Sequence, residues 1–190
     1  MPRPKTITEE DLLSAARQVF VEGGFAASTK QIAKRAGVSE ALLFQRYGTK
    51  ADLFFAAMVP PPMDMGEYIK TAAAGTDARD TLERLAWAML DYFRTAVPML
   101  LPLMSHPDFN FERFAANHPA SGLVVLRAKM AEFFFVNRAP DPAAASLLLL
   151  ATMQSVAMFE LLGAHGGKMP DEIMRRTIAA IWRAVEPKSA

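Results

Sequence analysis

Residues 28–50 constrain this chain most, because their order predicts two short helices joined by a tight turn. Thr29 can cap the first helix with its hydroxyl, and Ser39 can cap the second. Gly37 stands between them, where the chain needs a positive φ angle that glycine adopts without steric cost. Apolar residues recur at helical spacing and should face inward: Ile32, Ala33, Ala36, Leu42 and Leu43. The layout is that of a helix-turn-helix, which lays its second helix in the major groove of DNA.

The second of these helices leaves a mixed set of side chains for its outer face, namely Ala41, Phe44, Gln45 and Arg46. Small, aromatic, amide and guanidinium groups suit a thymine methyl, a base edge and a phosphate. Taken alone, two capped helices favour a merely structural hairpin in an all-helical core. The order and spacing of the whole stretch reverse that preference.

Residues 8–54 resemble the DNA-binding domain of the tetracycline-repressor (TetR) family of bacterial transcription regulators. The shared pattern is Gly24-Phe25, Ser28-Thr29, Ile32-Ala33, Ala36-Gly37-Val38-Ser39, Ala41-x-Leu43-Phe44-x-Arg46-Tyr47, Lys50 and Leu53. The chain has Ala41, Phe44 and Arg46 where the family pattern has glycine, tyrosine and histidine. Phe44 has no hydroxyl, so it cannot donate the hydrogen bond that the family's tyrosine makes to a phosphate. Arg46 can replace the histidine, and it keeps its charge at any working pH.

The motif and the resemblance together predict the DNA contacts. Most of these residues lie on the two hairpin helices and at their starts, and one begins the next helix. The predicted contacts are Ser28, Thr29, Lys30, Ser39, Ala41, Phe44, Gln45, Arg46, Tyr47 and Lys50.

The chain predicts an all-α fold without strands. We place an N-terminal three-helix, helix-turn-helix domain at residues 1–54, and a helical ligand-sensing and dimerisation domain at residues 55–190. A helix from Lys50 must stop before the prolines at 60–62, and a weakly helical link should follow to residue 77. Further helices are expected at 78–96, between Pro98 and Ser105, and at 119–136, 142–162 and 170–185, with a loop over 106–118.

Composition narrows the possible functions. Residues 1–50 carry eight basic and five acidic groups, although the whole chain is nearly balanced at 21 against 20. A modestly positive amino end, including an arm with Arg3 and Lys5, fits local contact with phosphates.

The chain has no cysteine and only three widely spaced histidines, so we predict no metal, no cofactor and no oxidising compartment. Ser105, His106 and Asp108 are sequence neighbours, which does not make them a catalytic triad, and we predict that the protein is not an enzyme.

The last two long helices carry apolar residues on more than one face, so each must be buried on more than one side. The resemblance implies that they pair with their mates across a two-fold axis in a homodimer. Burial within a monomer core is the alternative. The apolar stretch at 143–164 approaches the length of a membrane span, but its polar residues favour a buried or interface helix, so we expect no membrane partner and a cytoplasmic protein.

Methionines and phenylalanines recur in the middle helices and could form the adaptable wall of a pocket for an apolar or aromatic small molecule. Ordinary core packing is the alternative for each of them. We predict effector contacts from Met89, Phe93, Met104, Phe109, Phe114, Met130, Phe134, Gln154 and Met158. The favoured function is a transcriptional regulator, a repressor released from a palindromic operator by this effector. The competing function is a helical carrier of small apolar ligands, or an interaction module, whose hairpin is only structural.

Overall fold

The computed structural model describes residues 7–60, 63–73, 77–117, 123–164 and 166–186. The regular elements of these residues are all helical, which confirms the all-α fold class. They are α1 (Glu9–Gly23), a 3-10 turn (Gly24–Ala26), α2 (Thr29–Ala36), α3 (Glu40–Tyr47), α4 (Lys50–Ala57), α5 (Met65–Ala73), α6 (Ala78–Met104), α7 (Phe111–Asn117), α8 (Leu123–Val136), α9 (Pro142–Leu161) and α10 (Asp171–Val185). The predicted arm with Arg3 and Lys5, and the predicted helix start at Pro119, lie outside the described residues.

The chain divides into two compact units. The first contains Met1–Pro60 together with Pro98–Phe111, and the second contains Pro61–Val97 together with Glu112–Ala190. The domain boundary after residue 54 stays a prediction. The first unit continues to Pro60 because α4 runs on to Ala57. It also includes Pro98–Phe111, which no local sequence signal links to the hairpin.

The first unit is built on α1. The Thr8 hydroxyl oxygen accepts from the Asp11 backbone N–H at 3.1 Å and caps the helix, as the sequence predicts. The inward stripe of α1 includes Leu12, Ala16 and Phe20, all fully buried. Phe20 meets Phe54 of α4 edge to face at 5.0 Å between ring centroids, which joins α1 to the helix after the hairpin.

His106 belongs to the core of the same unit. Its ring lies among three phenylalanines, with centroid distances of 4.4 Å to Phe25, 5.6 Å to Phe54 and 5.0 Å to Phe55. Its Nδ1 accepts from the Asp108 backbone N–H at 3.2 Å. The histidine ring therefore packs as one more aromatic ring of this core.

Two expectations about the middle of the chain were wrong. The predicted break around residue 97 is absent: α6 continues through Pro98 and Pro102. Each proline removes a helical hydrogen bond, but Val97, Met99 and Leu103 are buried along this part, and their burial offsets that cost. The loop predicted over 106–118 contains α7. The link predicted to be weakly helical contains α5, which agrees with its expected helical character.

The second unit holds α8, α9 and α10 with most of α6. Asp141 caps α9 by accepting from the Ala144 N–H at 2.9 Å, with Pro142 in the first turn as predicted. α9 has the length and hydropathy of a membrane span, with a mean hydropathy of 1.5 over its most apolar window. Soluble core helices pass the same test. One face of α9 is buried in this unit: Ala145, Ser146, Leu149, Leu150, Met153, Val156 and Ala157.

An ion pair between Arg94 of α6 and Glu160 of α9 also belongs to this unit. Arg94 Nε and Nη2 donate to the two oxygens of Glu160 at 2.7 and 2.8 Å. The Met169 backbone N–H donates to the same carboxylate at 2.8 Å, which anchors the turn before α10. The Glu160 side chain is only 7% exposed. Because the arginine donates to it, the pKa of Glu160 lies below its ordinary value.

Candidate nucleic-acid interface

The turn between α2 and α3 has the geometry that the sequence predicts. Gly37 lies in the left-handed region at φ 69° and ψ 30° and ends α2. The Val38 N–H donates back to the Ala33 carbonyl at 3.0 Å, which completes the turn. Ser39 then caps α3 by accepting from the Leu42 N–H at 3.2 Å. Short-range hydrogen bonds therefore fix the start of α3.

The predicted cap at Thr29 was wrong by one residue. Ser28 occupies the N-cap position of α2 and makes no capping bond with its side chain, whereas Thr29 is the first helical residue. The Thr29 hydroxyl instead donates to the Glu40 carboxylate. This bond ties the first turn of α2 to the first turn of α3 and adds to the register of the hairpin. The sequence offered no signal for it beyond the eleven-residue separation of the two side chains.

The outer face of α3 carries the side chains that the motif assigns to DNA. Ala41, Phe44, Gln45 and Arg46 are all exposed. Leu43 of the same helix is 1% exposed and faces the core. Ser28, Lys30 and Ser39 are exposed on the neighbouring turns, and Thr29 is half-buried. Seven of the predicted contacts thus lie exposed on α2, α3 and their starts.

Tyr47 differs from the rest of the predicted set. Its hydroxyl oxygen is buried. Burial raises the pKa of Tyr47, and the negative charge of Glu9 raises it further. The DNA contact predicted for Tyr47 cannot use this hydroxyl in this arrangement, because the ring turns its polar end inward.

Lys50 begins α4 and is half-buried. Its Nζ lies 5.0 Å from the centroid of the Phe25 ring. A capping box between Thr49 and Asp52 fixes the start of α4: Thr49 accepts from the Asp52 N–H at 3.1 Å, and Asp52 accepts from the Thr49 N–H at 3.2 Å. Among the described residues, the Lys50 ammonium group contacts the aromatic ring of Phe25 and no carboxylate.

The predicted effector contacts are divided between the two units. Met104 and Phe109 belong to the first, and Met104 is 57% exposed. The other seven belong to the second. Four of these are buried core residues (Met89, Phe93, Met130, Phe134), and three are half-buried (Phe114, Gln154, Met158). The structure gives a packing role to the buried four, and the effector site stays a prediction.

Two grooves occur in the described part of the second unit, and other residues line them. One has a volume of about 430 Å³ between α5, α6 and α8, and its lining includes Ile69, Lys70, Lys129, Phe133 and Val136. The other has a volume of about 240 Å³ between α6 and α10. We call the latter the arginine–tryptophan groove; its lining includes Arg79, Glu83, Arg175, Arg176, Ile178 and Trp182.

The neighbouring Ser105, His106 and Asp108 do not assemble a nucleophile and base. The Ser105 hydroxyl donates to the Leu101 carbonyl at 2.8 Å, and the histidine packs among phenylalanines as described above. Across the residues that the structure describes, no group of three histidine or acidic side chains is arranged to hold a metal ion.

The capped hairpin, with α3 outward and α1 and α4 behind it, defines a helix-turn-helix protein. Residues 12–57 match the family described as "Bacterial regulatory proteins, tetR family". This match places the amino-terminal segment of the chain in the TetR family.

One relative and two solved structures are similar to this chain. Over 91 residues it is 33% identical to the HTH-type transcriptional activator FasR of Mycolicibacterium smegmatis, a match that covers 47% of this chain and 42% of FasR. A TetR-like regulator from Rhodococcus sp. RHA1 has a similar fold, with a TM-score of 0.65 at 23% identity over 95% of this chain and 97% of that one. FadR of Bacillus subtilis, solved with stearoyl-CoA, gives a TM-score of 0.62 at 14% identity over 94% of this chain and 100% of FadR.

Proposed function

We propose that this protein is a homodimeric, ligand-responsive transcriptional repressor that binds a palindromic DNA operator in the cytoplasm. The observation that carries the proposal is the exposed outer face of α3, presented by a hairpin in which the Gly37 turn and the Ser39 cap of α3 are both formed. A rigidly held helix with exposed amide and guanidinium groups suits direct reading of base edges and phosphates.

The roles on this face follow from side-chain chemistry. Gln45 has the paired donor and acceptor that suit adenine, and Ala41 leaves room for a thymine methyl. Arg46 and Lys30 are exposed cations suited to phosphates. The Lys50 ammonium lies over the Phe25 ring at the start of α4, and it can turn from that ring to a phosphate.

Exposed stripes on the last two helices support the homodimer. On α9 and its C-cap, one face carries Leu148, Ala151, Ser155, Phe159 and Leu162, all exposed. On α10, the exposed face away from the core carries Ile173, Ala180 and Ala184. Large apolar residues opposite small ones suit close helix packing, and we propose that two copies form a four-helix interface here. Such a dimer would present two α3 helices about 34 Å apart, the spacing of successive major-groove faces.

The effector we propose is a small apolar or aromatic molecule that binds in the second unit. The methionines and phenylalanines of α6, α8 and α9 support this, because such side chains repack readily around an apolar ligand. The effector would favour a form of the dimer whose two α3 helices are wrongly spaced for DNA. Operator affinity would then fall and transcription would rise.

Selection of bound duplexes from a random pool, followed by titration of the recovered site at several salt concentrations, tests the proposal. We expect Arg46→Ala and Lys30→Ala each to weaken binding across sequences and to lower the slope of log affinity against log salt by about one unit. Gln45→Ala should cost about 1–3 kcal/mol on the preferred site and little on random DNA. Arg183→Ala removes an exposed cation from α10 and serves as the matched control.

Failure to enrich any duplex would overturn the proposal and favour the carrier or interaction module instead. The same result follows if the α3 variants bind as tightly as the Arg183 control. A reporter placed behind the selected site tests the direction of regulation, which matters because FasR is an activator. Lower expression with the protein present supports repression, and higher expression rejects it.

A further inference from the structure

The arginine–tryptophan groove is lined mainly by charged side chains around one aromatic ring, and neither the DNA-reading face nor the proposed effector wall uses it. Arg79 and Glu83 come from the first turns of α6, while Arg175, Arg176 and Trp182 come from α10. The lining contains three arginines and one glutamate around a volume of about 240 Å³. This excess of positive charge in a confined space favours an anionic ligand.

Two of the three arginines lack partners among the residues that the structure describes. Among the described residues, neither Arg79 nor Arg175 makes a hydrogen bond or an ion pair, and both are exposed. Arg176 is engaged only at 3.8 Å, by Glu172 one turn earlier on α10. Arg94 of the same unit shows the contrast, because carboxylates occupy its guanidinium on two sides. Arg79 and Arg175 are therefore available to bind a carboxylate with paired N–H donors.

Trp182 supplies a flat apolar surface beside these cations. It is half-buried, with Ile178 behind it at 3% exposure. Within the described part of the chain, its ring has no aromatic or cationic partner. A ligand ring can stack there, while an anionic group on the same ligand meets the arginines.

We propose that the arginine–tryptophan groove binds a small aromatic carboxylate. The ring stacks on Trp182, and the carboxylate accepts hydrogen bonds from Arg79 and Arg175. The groove volume suits one ring, since pockets for drug-sized ligands run from about 300 Å³ upward. The bound anion would bridge α6 and α10, two helices of the second unit. This site does not depend on DNA binding.

Titration of the full-length protein with para-fluorobenzoate, followed by ¹⁹F NMR and calorimetry, tests the proposal. We expect saturable binding with a Kd below about 1 mM. Arg79→Gln and Arg175→Gln should each weaken it about tenfold, because each removes a charge-assisted pair of donors. Arg183→Gln is the matched control from the same helix and should leave Kd unchanged.

Two further ligands distinguish the contribution of the aromatic ring to binding from that of the carboxylate charge. Neutral para-fluorobenzyl alcohol and non-aromatic cyclohexanecarboxylate should each bind at least about tenfold more weakly than para-fluorobenzoate. Equal binding of the alcohol, or equal Kd in the two glutamine variants and the control, would overturn the site. So would no saturation at millimolar ligand, which would identify the arginines as a solvated basic surface. Circular dichroism of each variant confirms that the fold is retained, and the two arginines lie on different helices, so a local folding defect in one leaves the other informative.

Discussion

Replacing Arg94 by methionine should destabilise the second unit by leaving the Glu160 carboxylate buried without its cation. The loss includes two short charge-assisted bonds, at 2.7 and 2.8 Å, to a side chain that is 7% exposed. Breaking a buried pair in this way costs about 3–5 kcal/mol. Arg94 is itself 20% exposed and Glu160 keeps the Met169 N–H, so water and one donor partly compensate. We expect a loss of about 3 kcal/mol.

Urea denaturation at fixed protomer concentration measures this loss, because a dimer would link stability to concentration. A 3 kcal/mol loss corresponds to a fall in Tm of about 6–12 °C for a chain of this size. Asp91→Ala is the control: it removes the Arg94 partner that is 70% exposed, and should cost less than about 0.5 kcal/mol.

A double-mutant cycle isolates the pair itself. Arg94→Met, Glu160→Gln and the combined variant should give a coupling energy of about 2 kcal/mol, since the glutamine oxygen can still accept from Met169. A coupling energy below about 0.5 kcal/mol would refute the reasoning, because it would mean that solvent screens the pair as it screens a surface ion pair.

Two further predictions concern pH and backbone strain. The pKa of Glu160 is lower in the folded protein than its ordinary value of 4.5, so its stabilisation is fully present above that value and is lost as pH falls through the folded pKa. The stability difference between wild type and Arg94→Met should hold from about pH 7 to about pH 5 and shrink below, measured by urea titrations; a constant difference at pH 3 would contradict this. An added Cβ would meet no atom within 4 Å at Gly24 or Gly37, so alanine there costs backbone strain alone. Gly24, at φ 61° and ψ −162°, lies in a backbone region nearly exclusive to glycine. We therefore expect Gly24→Ala to lower the free energy of unfolding by about 2–3 kcal/mol, against about 1 kcal/mol for Gly37→Ala. Hydrogen exchange in α1–α4 measures both losses, and equal losses would refute this prediction.

The hairpin could be predicted because its signals are local. Gly37, Ser39 and Thr8 each act within three or four residues, and each has the turn or capping role that its residue type indicates. The bond from Thr29 to Glu40 could not be predicted in the same way, since it depends on how two helices cross. The inward turn of Tyr47 depends likewise on tertiary packing near Glu9 of α1.

Burial of side chains in the tertiary structure also determines the secondary structure in the middle of the chain. Pro98 and Pro102 are strong local signals against a helix, yet α6 continues through both, because its apolar residues pack on either side. Four residues predicted to contact the effector are buried in the core instead: Met89, Phe93, Met130 and Phe134. Their apolar pattern fits a pocket wall and a core equally well. The arginine–tryptophan groove was missed because Arg175 and Trp182 share a face at a spacing of seven, but only the fold brings Arg79 beside them.

Different residues of α3 stabilise the helix and form its outer face, which has an evolutionary consequence. Its stability rests on Leu43, on the Ser39 cap and on the tie between Glu40 and Thr29. Ala41 and Gln45 point away from all of these. Selection can therefore exchange the two outward positions freely and acquire new sequence preferences, while the folding of the amino-terminal unit is left intact.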